Sequence, residues 1–191
     1  MLEDPRTDEG LMLAYRDGDA AAFEVLYGRW RGPLYRYFLR QCAQAGEADE
    51  LFQDVFMKVI GAAPSYQPTA RFPTWLFHIA HNRLIDHWRK RGREPLDPLP
   101  ADADGDDCEW QVAAPEADRP DRQVAGKQLA EALAAAVADL PEAQREAFLL
   151  AEEGGLTLEE IAALAGVGRE TVKSRLRYAA AKLRKFLEPW R

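Results

Sequence analysis

Residues 94–121 constrain what this chain can fold into more than any other feature. Ten acids (Glu94, Asp97, Asp102, Asp104, Asp106, Asp107, Glu109, Glu116, Asp118, Asp121) stand against one base, Arg119, and five prolines (Pro95, Pro98, Pro100, Pro115, Pro120) interrupt any helix. With few apolar residues and no helical period, the stretch buries too little surface to offset its ordering entropy, so it reads as an acidic linker over residues 94–122. A chain of 191 residues cut there has room for two small cores, one in residues 1–93 and one in residues 123–191. The residues leave open whether the linker is a plain spacer or a negative strip that mimics nucleic acid in a basic channel.

The same stretch explains a misleading charge. The chain carries a net −7, which argues against a nucleic-acid partner, since phosphate affinity comes largely from Lys and Arg displacing counterions. Residues 94–121 alone hold a net −9, so the remainder is +2. Two segments concentrate the bases. One holds Arg83, Arg89, Lys90, Arg91 and Arg93; the other holds Arg169, Lys173, Arg175, Arg177, Lys182, Arg184, Lys185 and Arg191. These are candidate phosphate-facing surfaces.

Hydrophobic residues make up 47% of the chain but never run for the ~20 positions a membrane span needs. Met1-Leu2-Glu3-Asp4-Pro5 lacks the basic start and apolar stretch of a secretory signal, and Cys42 and Cys108 form no Cys-x-x-Cys. A cytoplasmic protein with free thiols, no membrane insertion and no cofactor is expected.

On both sides of the linker the apolar period is helical, and no run alternates long enough for a strand, which predicts an all-α fold. Asp19 is placed to cap a helix carrying Phe23, Leu26, Tyr27 and Trp30, and Pro33 to open a further one carrying Leu34, Tyr37 and Phe38. Over residues 47–60 the apolar positions Leu51, Phe52, Val55, Phe56, Val59 and Ile60 leave Asp49, Glu50, Gln53, Asp54 and Lys58 on the opposite face. Residues 61–73 read as a loop. Thr74 then caps a helix running from Trp75 through Leu76, Ile79, Leu84 and Trp88 into a basic end.

In the second half, an alanine-rich helix spans about residues 123–138, and Leu140-Pro141 opens another with Ala147, Phe148 and Leu149. Thr157-Leu158-Glu159-Glu160 is a capping box. Ile161, Ala162, Leu164 and Ala165 follow as an inner face, Gly166-Val167-Gly168 as a turn, and a second helix with Val172 and Leu176 inward. That is a helix-turn-helix. Arg169, Glu170, Thr171, Lys173, Ser174, Arg175 and Arg177 are read as outward, the positions that reach base edges or phosphates in a major groove.

These blocks, in this order, resemble a known family. Gly18-Asp19 with Ala22-Phe23 and Leu26-Tyr27, then residues 50–56 (ELFQDVF), then residues 72–86 (FPTWLFHIAHNRLID), an acidic linker, Leu140-Pro141, and Thr171-Val172-Lys173-Ser174-Arg175-Leu176 are similar to the extracytoplasmic-function sigma factors of bacteria. The resemblance covers almost the whole chain. It implies two helical domains, no catalytic residues, and core RNA polymerase, promoter DNA and an anti-sigma factor as partners. Asp49, Glu50, Gln53 and Asp54 would dock on the polymerase clamp helices. Tyr66, Trp75, Asn82, Arg83, Asp86, Arg89 and Lys90 would open and hold the minus-ten element, although Trp75 and Phe72 equally suit a core. The helix-turn-helix would read the minus-thirty-five element as duplex. Gly168-Arg169-Glu170 departs from the usual family pattern at the start of that helix.

Other classes are less well supported by the residues. His78 and His81 share a helical side but lack further metal ligands, and neither a phosphate-binding glycine loop nor a nucleophile–base pair is present. A helix-turn-helix repressor acting on duplex operators without polymerase is the alternative function.

Overall fold

The computed structural model describes residues 4–92 and 120–188, and among these the only regular elements are helices. Most of the acidic linker lies outside the described residues. The first helix, α1 (Asp8–Arg16), starts where the Thr7 hydroxyl accepts a hydrogen bond from the Gly10 amide at 3.1 Å. It inserts Leu11 and Met12 completely into the core.

Asp19 caps the next helix, its carboxylate accepting from the Ala22 amide at 3.2 Å. That helix, α2 (Ala20–Gln41), runs unbroken through Pro33, so the expectation of two separate helices is corrected. An interior proline costs about 3 kcal/mol through one lost hydrogen bond and a ring clash. Here Leu26 lies before it and Leu34, Tyr37 and Phe38 after it, all buried, so a continuous packed face holds the helix together across the break.

Helix α3 (Ala45–Ala62) buries Ala48, Leu51, Val55, Phe56 and Val59 against α2 and the following helix, whereas Ile60, read as part of the same stripe, stays 38% exposed. A short 3-10 turn (Ala63–Ser65) leads to α4 (Phe72–Lys90), whose first turn holds Pro73. Thr74 is therefore inside the helix and does not cap it. Its hydroxyl instead donates to Glu160 at 2.6 Å.

The second half contributes α5 (Pro120–Ala138), α6 (Glu142–Glu152), α7 (Leu158–Ala165) and α8 (Arg169–Leu187). The capping box forms as read: the Glu160 amide donates to the Thr157 hydroxyl at 3.3 Å and the Thr157 amide to the Glu160 carboxylate at 2.8 Å. Gly166 ends α7 at φ 67°, a left-handed conformation that glycine adopts without a Cβ penalty. Helix α8 packs on α6 and α7.

Thr157→Ala is expected to lower stability by about 1 kcal/mol, read by denaturant unfolding. Burial pushes the Glu160 carboxyl up, but the hydrogen bonds from Thr157 and Thr74 and the Arg71 charge outweigh it and leave it below the ordinary value of 4.5. A depressed folded value means that the ionised group stabilises above about pH 4.5 and loses that contribution as pH falls through the folded value. The stability gap between the wild type and Glu160→Gln should therefore be full at neutral pH and close on acidification below 4.5. A gap that persists unchanged at pH 3 would show that the ionised carboxylate is not its source.

The two halves pack on one another. Their buried side chains form one continuous cluster, with α2 against α5 and α6 and α4 against α7.

Candidate nucleic-acid interface

Helix α4 separates a buried side from an exposed one. Phe77, Ala80, His81, Leu84 and Trp88 are buried, while His78, Asn82, Asp86, Arg89 and Lys90 are exposed along successive turns. Asn82 lies 3.2 Å from the His78 ring, so the stripe begins with a paired amide and imidazole. His78 was absent from the residues expected here. The four-residue spacing to Asn82 and Asp86 was its legible signal, obscured by pairing it with His81. In the structure His81 turns inward, its Nδ1 2.8 Å from the Glu146 carboxylate.

Arg83 sits beside this stripe at 13% side-chain exposure and donates from Nε to Asp54 at 2.8 Å, with Glu50 3.9 Å away. Two residues expected to serve different partners thus form an ion pair across α3 and α4. Asp49, Glu50 and Gln53 are exposed on α3. A hydrogen bond with Asp49 pushes the Tyr35 phenol above its ordinary pKa, so α2 also reaches the edge of this acidic surface.

Trp75 is half-buried in a ring cluster, 5.0 Å from Tyr66 and 5.7 Å from Phe72 between centroids. Tyr66 is corrected as a stacking residue: it is only 4% exposed, and its hydroxyl is buried without a hydrogen-bond partner. Burial, reinforced by the nearby Glu9 and Asp8 charges, pushes the phenol up to about 12. The reason lies in α1, whose Glu9 carboxylate accepts from the Phe72 amide at 2.6 Å and so helps fold the loop over the ring.

In the helix-turn-helix, Arg169, Glu170 and Lys173 are exposed, and Thr171, Ser174 and Arg177 are half-buried. Arg169 donates to Glu159 at 2.6 Å and to Glu170 at 3.2 Å, which ties the start of α8 to α7. The Arg177 guanidinium lies 5.2 Å from the Tyr178 ring centre. Arg175 is the second correction. It is 3% exposed and its Nε has no hydrogen-bond partner, so it does not present a guanidinium to a groove. Burial pushes its pKa down, while the Glu146 charge opposes that shift. The spacing had already placed it inside: Val172, Arg175, Ala179 and Leu183 follow at three and four and are all buried.

A two-domain helical protein with a helix-turn-helix in the second domain and an acidic helix face plus a polar helix stripe in the first is the architecture of a sigma-70-type transcription initiation factor. The family profile for sigma-70 region 2 matches residues 26–94, and that for sigma-70 region 4 matches residues 136–185. The ECF RNA polymerase sigma factor RpoE of Cereibacter sphaeroides is 36% identical over 186 residues, spanning 95% of this chain and 96% of its own. The ECF RNA polymerase sigma-E factor of Escherichia coli strain K12 is 27% identical over 188 residues, 98% of each chain. In the solved structure of the sigma factor RpoE with the anti-sigma factor NepR from Bartonella quintana, the matching chain is 27% identical with a TM-score of 0.61 over 87% of this chain and 96% of its own. CnrH, solved with the cytosolic domain of CnrY, shares the fold at a TM-score of 0.62 and 24% identity over 95% of this chain and 97% of its own.

The chain belongs to the ECF RNA polymerase sigma factors. It directs promoter recognition by RNA polymerase, and its relatives are sigma factors, which are not enzymes. Among the described residues no helix is long and apolar enough to cross a membrane.

Proposed function

We propose that this sigma factor divides its work among three surfaces and acts in the cytoplasm. The exposed acidic face of α3, with Asp49, Glu50, Gln53 and Asp54, docks on core polymerase. The outer stripe of α4, with Asn82, Asp86, Arg89 and Lys90 and now His78, contacts the opened minus-ten strand, and Trp75 borders it. Arg83 serves this surface indirectly by fixing Asp54. The outward residues of α8, Arg169, Glu170, Thr171, Lys173, Ser174 and Arg177, face the minus-thirty-five duplex. An anti-sigma factor regulates the chain by covering these surfaces, as the anti-sigma complex of its relative suggests.

The observation that carries this reading is the two-sidedness of α4. Its apolar side is consumed by the core, yet polar side chains able to donate and accept line the other side from His78 to Lys90. A helix with that outer face and a basic last turn suits a phosphate-bearing strand.

Transcription from a library of promoter fragments, with the purified chain added to bacterial core polymerase, tests the whole. Defined start sites preceded by two shared elements are expected. Binding to duplex without polymerase dependence would favour a repressor instead. Within that assay Lys173→Ala should weaken minus-thirty-five binding by about 1–3 kcal/mol if it reads a base, and equally on all sequences if it meets phosphate. Arg175→Met, at a buried site, should leave discrimination between the element and scrambled duplex within about twofold. A tenfold loss of discrimination would return Arg175 to the base-reading set.

A further inference from the structure

His78 and Asn82 lie one turn apart on the exposed side of α4, and Asn82 Nδ2 stands 3.2 Å from His78 Nδ1. A carboxamide nitrogen has hydrogens to give and no lone pair to accept with, so the ring nitrogen is the acceptor. The imidazole is then neutral, with its hydrogen on Nε2. Because the amide is planar, holding its nitrogen toward His78 turns its oxygen away from the ring.

Asp86, four residues further along the same exposed side, offers only acceptors when ionised. Both neighbours of Asn82 on the stripe thus suit its nitrogen. An exposed asparagine left alone samples both directions of its amide, since the terminal torsion is broad and roughly two-fold. On α4 one direction is held by a side chain of the same helix.

That direction matters once a base is unpaired. Adenine and cytosine present an exocyclic amino group beside a ring nitrogen that accepts, whereas guanine and thymine present a carbonyl beside a ring N–H. A carboxamide complements both patterns, but in opposite directions. An amide free to turn over separates the two classes poorly. One held with its oxygen outward accepts from the amino group, and in the other class it sets a carbonyl against a carbonyl and leaves both unpaired.

We propose that His78 is a positioning residue that fixes the direction of the Asn82 amide, so that α4 favours adenine or cytosine over guanine or thymine at one position of the opened strand. The inference rests on the reading of α4 as the strand-facing surface. His78 acts here through Asn82, and its own ring is not the group that distinguishes the bases.

Transcription by core polymerase with the full chain, from a promoter obtained in the library assay and then randomised across its minus-ten element, reads the preference as a ratio of transcripts. At one position the wild type should favour adenine plus cytosine by roughly tenfold, and Asn82→Ala should lose the preference there alone. His78→Ala frees the amide and should bring that ratio to within about twofold of unity. His78→Gln keeps an acceptor four residues before the amide and should retain the preference. His78→Lys offers only donors, so it should take the Asn82 oxygen, turn the amide over and invert the ratio toward guanine and thymine. Its added charge strengthens phosphate contact on every sequence alike, so the ratio still reports the amide. A loss of helix stability would lower all transcripts together and has no means of reversing a preference.

A wild-type ratio in His78→Ala, or no inversion in His78→Lys, would overturn the proposal. So would an Asn82→Ala chain with every ratio unchanged. A ratio lost in His78→Gln as well as in His78→Ala would assign the reading to the imidazole itself and overturn it too. Wild-type chain that yields no defined start sites would instead overturn the initiation-factor reading on which the proposal stands.

Discussion

Replacing Gln53 and Asp54 together by alanine is expected to weaken binding to core polymerase by about 10- to 100-fold, in line with truncation of two polar anchors of an interface at about 0.7–1.4 kcal/mol each. Gln53 is exposed and its loss should leave the fold unmoved. Asp54 is different, because its carboxylate also holds Arg83 in the angle between α3 and α4. Asp54→Ala leaves a poorly exposed guanidinium short of its partner, so part of its effect should be shared by Arg83→Ala. Titration of labelled core polymerase with the two singles, the double and Arg83→Ala separates these contributions. Affinity unchanged in the double variant, with an intact melting transition, would move the docking surface off α3.

Gly154→Ala should be the most damaging of the small substitutions, lowering stability by about 2–3 kcal/mol through overpacking, and the melting temperature by about 4–12 °C for a chain of this size. A Cβ at Gly154 would stand 2.6 Å from Leu156 Cδ1, 2.8 Å from the Leu150 carbonyl oxygen and 3.1 Å from Phe77 Cδ2. The leucine tip can turn aside, but the Leu150 carbonyl belongs to the end of α6 and cannot. Phe77 belongs to α4, so the methyl also pushes on the contact between the domains. Differential scanning calorimetry checks the result. A shift under 1 °C would show that the turn relaxes freely, and no such tolerance is expected at the neighbouring fully buried Leu149.

Much of this molecule was legible in its residues. Asp19 and Thr157 announced helix starts because a short polar side chain ahead of an apolar period satisfies backbone amides that have no other partner, and both caps are present. The exposed face of α3 followed from spacing alone. Where the reading failed, a local rule was overruled by packing at a distance. Pro33 breaks helices in general, yet α2 is continuous because its buried side chains lie on both sides of the proline. Thr74 suits a cap, yet its hydroxyl serves a carboxylate 86 residues away.

Arg175 and Tyr66 fail for another reason. Their side chains are of types that suit DNA, whereas their positions face the core. The spacing of Arg175 from Val172 and Ala179 puts it on the buried side of α8, which is legible in the residues. The burial of Tyr66 is not, because it depends on α1 folding a carboxylate onto the start of α4.

The sequence by itself determined the helices, the break at the acidic linker and the family, since these rest on caps, periods and motifs that act within a few turns of chain. Only the tertiary structure decided which polar residues stay exposed and that Glu146 meets Tyr37, Gln41 and His81. Those depend on which surfaces of distant helices come into contact, and a buried carboxylate has no local pattern that names its donors.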